Sequence, residues 1–214
     1  MKTYKNITLS LVLVGAVVLG LVVLVRSGAS GGTASLLKNL SSDDWVRGNP
    51  DAKVTLVEYS DFQCPACANY YTIVHRLTDE FGDRMKFVYR HFPLREIHAH
   101  AQIAAQAAGA AGKQGKFWEM HDQLFEHQKE WAEDRNIEER ILGYAAAVSL
   151  DIDQFKTDLR SDAVEAKVNT DYSGGSLAGI TGTPTFFLNG KRIQNPRNYD
   201  EFKTYILAEF GSTQ

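Results

Sequence analysis

The chain has 214 residues, with 23 Lys and Arg against 26 Asp and Glu, a formal net charge of −3 and 44% hydrophobic residues. With no Lys/Arg cluster beyond the N-terminus to track a phosphate backbone, nucleic acid is not an expected partner. Two cysteines in a chain of this length also exclude a disulfide-stapled mini-scaffold, and the body of the sequence is long enough to bury its own core.

Ile7 to Val25 is an almost unbroken apolar run of about 19 residues, the length of a membrane-spanning helix. Lys2 and Lys5 precede it, so the positive-inside rule keeps the N-terminus cytoplasmic and sends everything after Arg26 outward. Residues 1–26 are therefore expected to be an uncleaved anchor. A cleaved signal peptide is the alternative, with Ser27-Gly28-Ala29 as a small-x-small site, although the apolar core exceeds the usual 7–15 or so residues. Either outcome puts the cysteines where disulfides form and persist. Residues 27–44, rich in Ser, Gly, Thr and Asn, read as a flexible linker; Leu36, Leu37 and Leu40 could alternatively form a short helical turn on the domain.

Residues 45–214 are of single-domain size. Val54–Tyr59 has the content of a mostly buried strand, preceded by an Asn49-Pro50-Asp51 turn. A helix is predicted from Cys64 to about Phe81, stopping at Gly82, and a second strand over Met85–Arg90, ended by Phe92-Pro93-Leu94. Helical patterns follow near 98–111, 116–128, 137–148, 151–160 and 163–173, making a helical insertion over about 97–175. Thr185–Leu188 and Lys191–Ile193 flank Asn189-Gly190, a strong hairpin signal. Tyr199, Phe202, Ile206 and Phe210 then recur at helical spacing.

Cys64 and Cys67 stand as Cys-Pro-Ala-Cys between the first strand and the first helix. A sulfur opening a helix faces unpaired N–H groups and the positive end of the dipole, which favour thiolate, the attacking species in disulfide exchange. Residues three apart on a helical turn lie within reach of a disulfide, so the pair can open and close locally. Pro65 suits the first helical position because its missing N–H has no intrahelical partner to lose. Two other readings compete. A structural disulfide across so short a loop removes little chain entropy, and a zinc site needs about four ligands where no second Cys pair exists. Metal is not expected: His98, His100, His121 and His127 match no ligand spacing, with the first two about 200° apart on a helix. Phe117 and Trp118 read as core. Glu58, alternating with Val54 and Leu56, should face the buried side of its strand, where a carboxyl of raised pKa could relay a proton to or from Cys67. The alternative is a strand-end charge reaching solvent.

The order of elements and four segments resemble the DsbA-like thiol:disulfide oxidoreductases of the thioredoxin-fold superfamily. The segments are Val57–Cys67, Phe87–Leu94, Gly115–His121 and Gly182–Leu188, and the resemblance spans nearly all of Trp45 to Phe210. It implies an α/β thioredoxin-like fold with an inserted helical domain, preceded here by one transmembrane helix. It also implies that Pro184 is cis, where the composition of an X-Pro bond alone would favour trans. Thr183 and Pro184 then form a loop against the cysteines that docks an extended substrate backbone, and Glu58 falls where the family often has an acidic residue.

The implied reaction is disulfide formation in reduced or unfolded secreted proteins through the Cys64–Cys67 couple, with no cofactor in the chain. Reoxidation would fall to a quinone-linked membrane partner of the DsbB or VKOR type, the domain acting as a monomer near the membrane by its own anchor. The intervening dipeptide, Pro65-Ala66, departs from the family's Pro-His: Ala66 has no imidazolium to offer a thiolate, so an intermediate reduction potential is expected. A reductase or isomerase of the same fold, and a redox-inert peptide-binding or chaperone module, remain as alternatives.

Overall fold

The computed structural model describes residues 40–212. The expected anchor at 1–26 and all but the end of the expected linker lie outside the described residues. Among the described residues no helix is long and apolar enough to cross a membrane.

Five strands form one mixed sheet: β1 (Trp45–Gly48), β2 (Val54–Ser60), β3 (Met85–His91), β4 (Thr185–Leu188) and β5 (Lys191–Arg192), in the order β1-β3-β2-β4-β5. β2 and β3 run parallel, linked by α1 (Pro65–Phe81), and the other neighbours are antiparallel. Between β3 and β4 the chain makes α2 (Ala101–Gly112), α3 (Phe117–Glu126), α4 (Gln128–Trp131), α5 (Ile137–Ala147), α6 (Ile152–Leu159) and α7 (Asp162–Leu177); α8 (Tyr199–Ser212) ends the fold.

β2 is central and buried on both faces, as its near-continuous apolar content requires. Its even-numbered residues Val54 and Leu56 join a core with Leu77 and Phe81 of α1, Phe186 and Leu188 of β4, and Phe202 and Ile206 of α8. Val57 and Tyr59 face the other way, into a smaller core with Val88, Phe92 and Phe187, against which Tyr172 of α7 packs. This two-sided burial fixes the register, since a one-residue slip would exchange the faces. It also places Glu58 opposite Tyr89 and Phe186, and Ser60 opposite His91.

Several boundaries differ from the sequence expectation. β1 had no strand signal: it is a four-residue edge, recognisable only through its pairing with β3. α2 begins at Ala101 and not at His98, because residues 94–100 are held as turns. The backbone N–H of Leu94 and the ring of His98 both go to the buried Asp61 carboxylate, at 2.9 and 2.7 Å. The two histidines thus sit in a loop, and the helical-wheel argument against a shared metal does not apply to them. The segment expected as one helix over 116–128 breaks at His127 into α3 and α4. In the hairpin, Asn189 and Gly190 take φ of 48° and 78°, the left-handed pair a tight two-residue turn demands.

Candidate active site

Cys64 is the N-cap of α1, in extended conformation (φ −71°, ψ 122°), with Pro65 directly after it. Extended geometry at this position swings the side chain over the first turn, where the helix leaves its N–H groups unpaired. The two cysteines are unbridged, and both are buried, Cys64 at 7% exposure and Cys67 at 0%. Pro65 and Ala66 between them are exposed.

Their environments push the two thiols apart. The Cys67 thiol, hydrogen-bonding toward Cys64, lowers the Cys64 pKa to about 5; burial opposes this, and the Thr183 hydroxyl and the backbone N–H groups of Cys67 and Ala66 assist it. Burial raises Cys67 well above the ordinary thiol range, with Cys64 and the Glu58 charge adding to the rise. One thiolate nucleophile and leaving group therefore sits at the surface end, and one protonated resolving thiol lies beneath it.

Glu58 is 3% exposed, so the solvent-reaching alternative does not describe it. Burial raises its pKa to about 8, only partly offset by the Ser60 hydroxyl, which donates to Glu58 Oε1 at 2.7 Å. A carboxyl of this pKa is protonated for much of the time near neutrality and can both give and take a proton.

The Thr183–Pro184 bond is cis, and it brings Thr183 against the cysteines: the Cys64 thiol donates to the Thr183 carbonyl at 3.6 Å. The Thr183 hydroxyl is buried without a hydrogen-bond partner among the described residues. The thiol thus rests on the carbonyl, while the hydroxyl supplies a donor when the sulfur ionises. Asn195 donates to the Pro184 carbonyl at 2.8 Å, tying the loop to the segment after β5.

Three polar side chains that were not singled out from the sequence hold the nucleophile's loop. Asp61 accepts from the Gln63 N–H at 2.8 Å in addition to Leu94 and His98. Gln63 donates to the Ala132 carbonyl and accepts from the His100 N–H, each at 2.6 Å. Gln128 of α4 donates to the carbonyls of Phe62 and Cys64, at 2.6 and 3.0 Å. The helical insertion is thereby bolted to the cysteine loop from two sides. Asp61 and Gln63 could have been found as polar residues flanking the motif; Gln128, 64 residues further along, carried no local signal. The other two candidate histidines, His121 and His127, pack on aromatic rings. His121 is buried among Phe62, Tyr89 and Phe125, its pKa lowered by that burial to about 4, and His127 stacks on Tyr144. Phe117 lies in the main core, with Trp118 half-buried against it.

Fold and site together define a thioredoxin-like protein with a Cys-x-x-Cys dithiol at the start of its first helix. A family profile described as Thioredoxin matches residues 40–208, and the chain belongs to that family. Among solved structures, it is similar to a thioredoxin-like oxidoreductase from Silicibacter pomeroyi (TM-score 0.69, 26% identity, covering 83% of this chain and 96% of that one). BdbD from Bacillus subtilis, in its oxidised form, matches with a TM-score of 0.69 and 28% identity over 78% of this chain and 92% of that one. The fold is also that of alpha-DsbA1 from Wolbachia pipientis (TM-score 0.72, 24% identity, 84% and 96% covered).

The curated relatives carry a different name. A Na(+)/H(+) antiporter NhaA 1 of Salinispora arenicola is 39% identical over 188 residues, which is 87% of this chain and 28% of that protein. Its namesake in Mycolicibacterium gilvum is 43% identical over 157 residues, 72% of this chain and 24% of that protein. The chain thus spans about a quarter of the length of these relatives.

Proposed function

We propose that this chain is a protein disulfide oxidase working outside the cytoplasm, on reduced or unfolded secreted and envelope proteins. The observation that carries the reading is the split between the thiols: a Cys64 held ionised to about pH 5 above a Cys67 kept protonated. Stabilising the thiolate stabilises the reduced state, and a couple whose reduced state is favoured is an oxidant. In the forward reaction a substrate thiolate attacks the Cys64 sulfur. The Cys64–Cys67 bond breaks with its electron pair going to Cys67, and a second substrate thiol then displaces Cys64, its low pKa making it the better leaving group. Substrate backbone would lie along Thr183 and Pro184, next to the exposed Pro65-Ala66 turn.

Location rests on the apolar Ile7–Val25 run and the lysines before it. An oxidase also needs a reoxidant, and a quinone-linked membrane protein of the DsbB or VKOR type suits a tethered monomer. The test is oxidative refolding of a reduced, unfolded disulfide protein by the oxidised chain. Catalysis that disappears in Cys64→Ser supports an oxidase, and full activity of Cys64→Ser would make the chain a binding module. Reduction of intact substrate disulfides, without their formation, would make it a reductase.

A further inference from the structure

Glu58 and Cys67 are both buried, yet the hydrogen bond that Glu58 makes is to a third group, the Ser60 hydroxyl. Ser60 is itself 1% exposed. It stands two residues along β2 from Glu58, hence on the same face, which α1 covers and into which Cys67 projects from the first turn. A hydroxyl there donates one hydrogen bond and accepts others at once, whereas an ionised carboxylate only accepts and a thiol does both weakly. We infer that Ser60 is the proton-transfer residue linking Cys67 to Glu58, so that the buried carboxyl acts on the resolving thiol through this hydroxyl. The inference rests on the thiol–disulfide reading of the site.

When a mixed disulfide on Cys64 is resolved, the Cys67 S–H proton passes to Ser60 Oγ as the Ser60 hydroxyl proton passes to the Glu58 carboxylate. Cys67 thiolate then attacks the Cys64 sulfur. The Cys64–Cys67 bond forms, and the bond to the substrate sulfur breaks with its electron pair leaving on that sulfur. In the opposite direction Cys67 departs as thiolate and receives the Ser60 proton, while protonated Glu58 restores the one on Ser60. Ser60 is neutral before and after, and no other oxidant or reductant enters. Consistent with this placement, both the Ser60 hydroxyl and the Glu58 charge act on the Cys67 thiol, in opposite directions.

Several other groups face Glu58. Cys64 caps α1 and Cys67 lies in its first turn, and the Tyr89 phenol on β3 is affected by the Glu58 charge. A pocket of about 10 Å³, room for about one water molecule, is lined by Glu58, by Tyr71, His75 and Thr78 of α1, by Arg47 of β1 and by His121 of α3. Asp122 pairs with Arg47 on that wall and hydrogen-bonds the His121 ring, which its low pKa leaves uncharged near neutrality, and His75 hydrogen-bonds Asp79. That pocket gives Glu58 room for a water on one side, and Ser60 supplies the inner link of the path.

The test uses the full chain, reduced, mixed rapidly with glutathione disulfide, with acid quenching to count the mixed disulfide and the closed Cys64–Cys67 bond. In wild type the closing step should accelerate as pH rises through about 8, the pKa of Glu58. Ser60→Ala is expected to slow closing at least about tenfold near neutrality and to abolish that acceleration, with the first attack by Cys64 unchanged. Ser60→Thr should retain most of both. In a Glu58→Gln background Ser60→Ala should add nothing, because the two act in series. An unchanged closing rate and pH profile in Ser60→Ala, or additive losses in the double variant, would overturn the role of Ser60. If Ser60→Ala does not fold, wild type in mixtures of light and heavy water decides: two protons in flight give a curved dependence on deuterium content, and a straight line refutes the link. Failure of wild type to form the first mixed disulfide would instead refute the thiol–disulfide reading itself.

Discussion

The Cys64 sulfur lies 3.6 Å from the carbonyl oxygen of Thr183, a residue whose own hydroxyl is buried with no hydrogen-bond partner among the described residues. The two oxygens favour opposite states of the sulfur: a carbonyl accepts from a thiol, and a hydroxyl donates to a thiolate. A hydrogen bond to a charged group is worth about 1.5–3 kcal/mol, so Thr183→Val should raise the Cys64 pKa from its value of about 5 by about one to two pH units. Thr183→Ser should leave it nearly in place. Titration by ultraviolet thiolate absorbance distinguishes the two, and equal pKa values in Thr183→Val and wild type would remove the hydroxyl from the site's electrostatics.

Stability should depend on pH differently in the two redox states. For Cys64 the folded pKa of about 5 lies below the ordinary 9.0, so its contribution is fully present above pH 9 and is lost as pH falls toward 5. It exists only in the dithiol. For Glu58 the folded pKa of about 8 lies above 4.5, so its contribution is fully present below pH 4.5 and is lost as pH rises through 8. The difference in melting temperature between reduced and oxidised protein should therefore widen from pH 5 to pH 9. Glu58→Gln should flatten the decline of the oxidised form between pH 4.5 and 8. A redox difference independent of pH would mean that Cys64 is not ionised in this range.

Gln128 carries the clearest link between insertion and nucleophile, since one amide nitrogen reaches the carbonyls of both Phe62 and Cys64. Gln128→Ala leaves both without that donor, at a cost of about 1–3 kcal/mol in urea unfolding. It should also blur the position of Cys64, slowing its attack on a small disulfide while the Cys64 pKa moves little. Equal stability and equal rate would show that the insertion is only a neighbour of the active-site loop.

Much of this was legible in the sequence because it is local. The alternation in β2, the start of α1 at Cys64-Pro65 and the Asn189-Gly190 turn each follow from the preferences of a few adjacent residues. What depends on distant partners was not legible. β1 is a strand only because β3 offers it an edge, and residues 98–100 leave the helical pattern because Asp61, more than 30 residues earlier, holds the Leu94 N–H and the His98 ring. Ser60 is an intermediate case. Strand alternation places it beside Glu58, but only the fold shows that the carboxyl's hydrogen bond goes to it.

The most direct measurement is the reduction potential of the Cys64–Cys67 couple, obtained by equilibrating the protein against glutathione buffers. A thiolate stabilised to about pH 5 predicts a potential above about −180 mV, the level of protein disulfide isomerase. A value near −270 mV, that of thioredoxin, would contradict an oxidase and make the same dithiol a reductant.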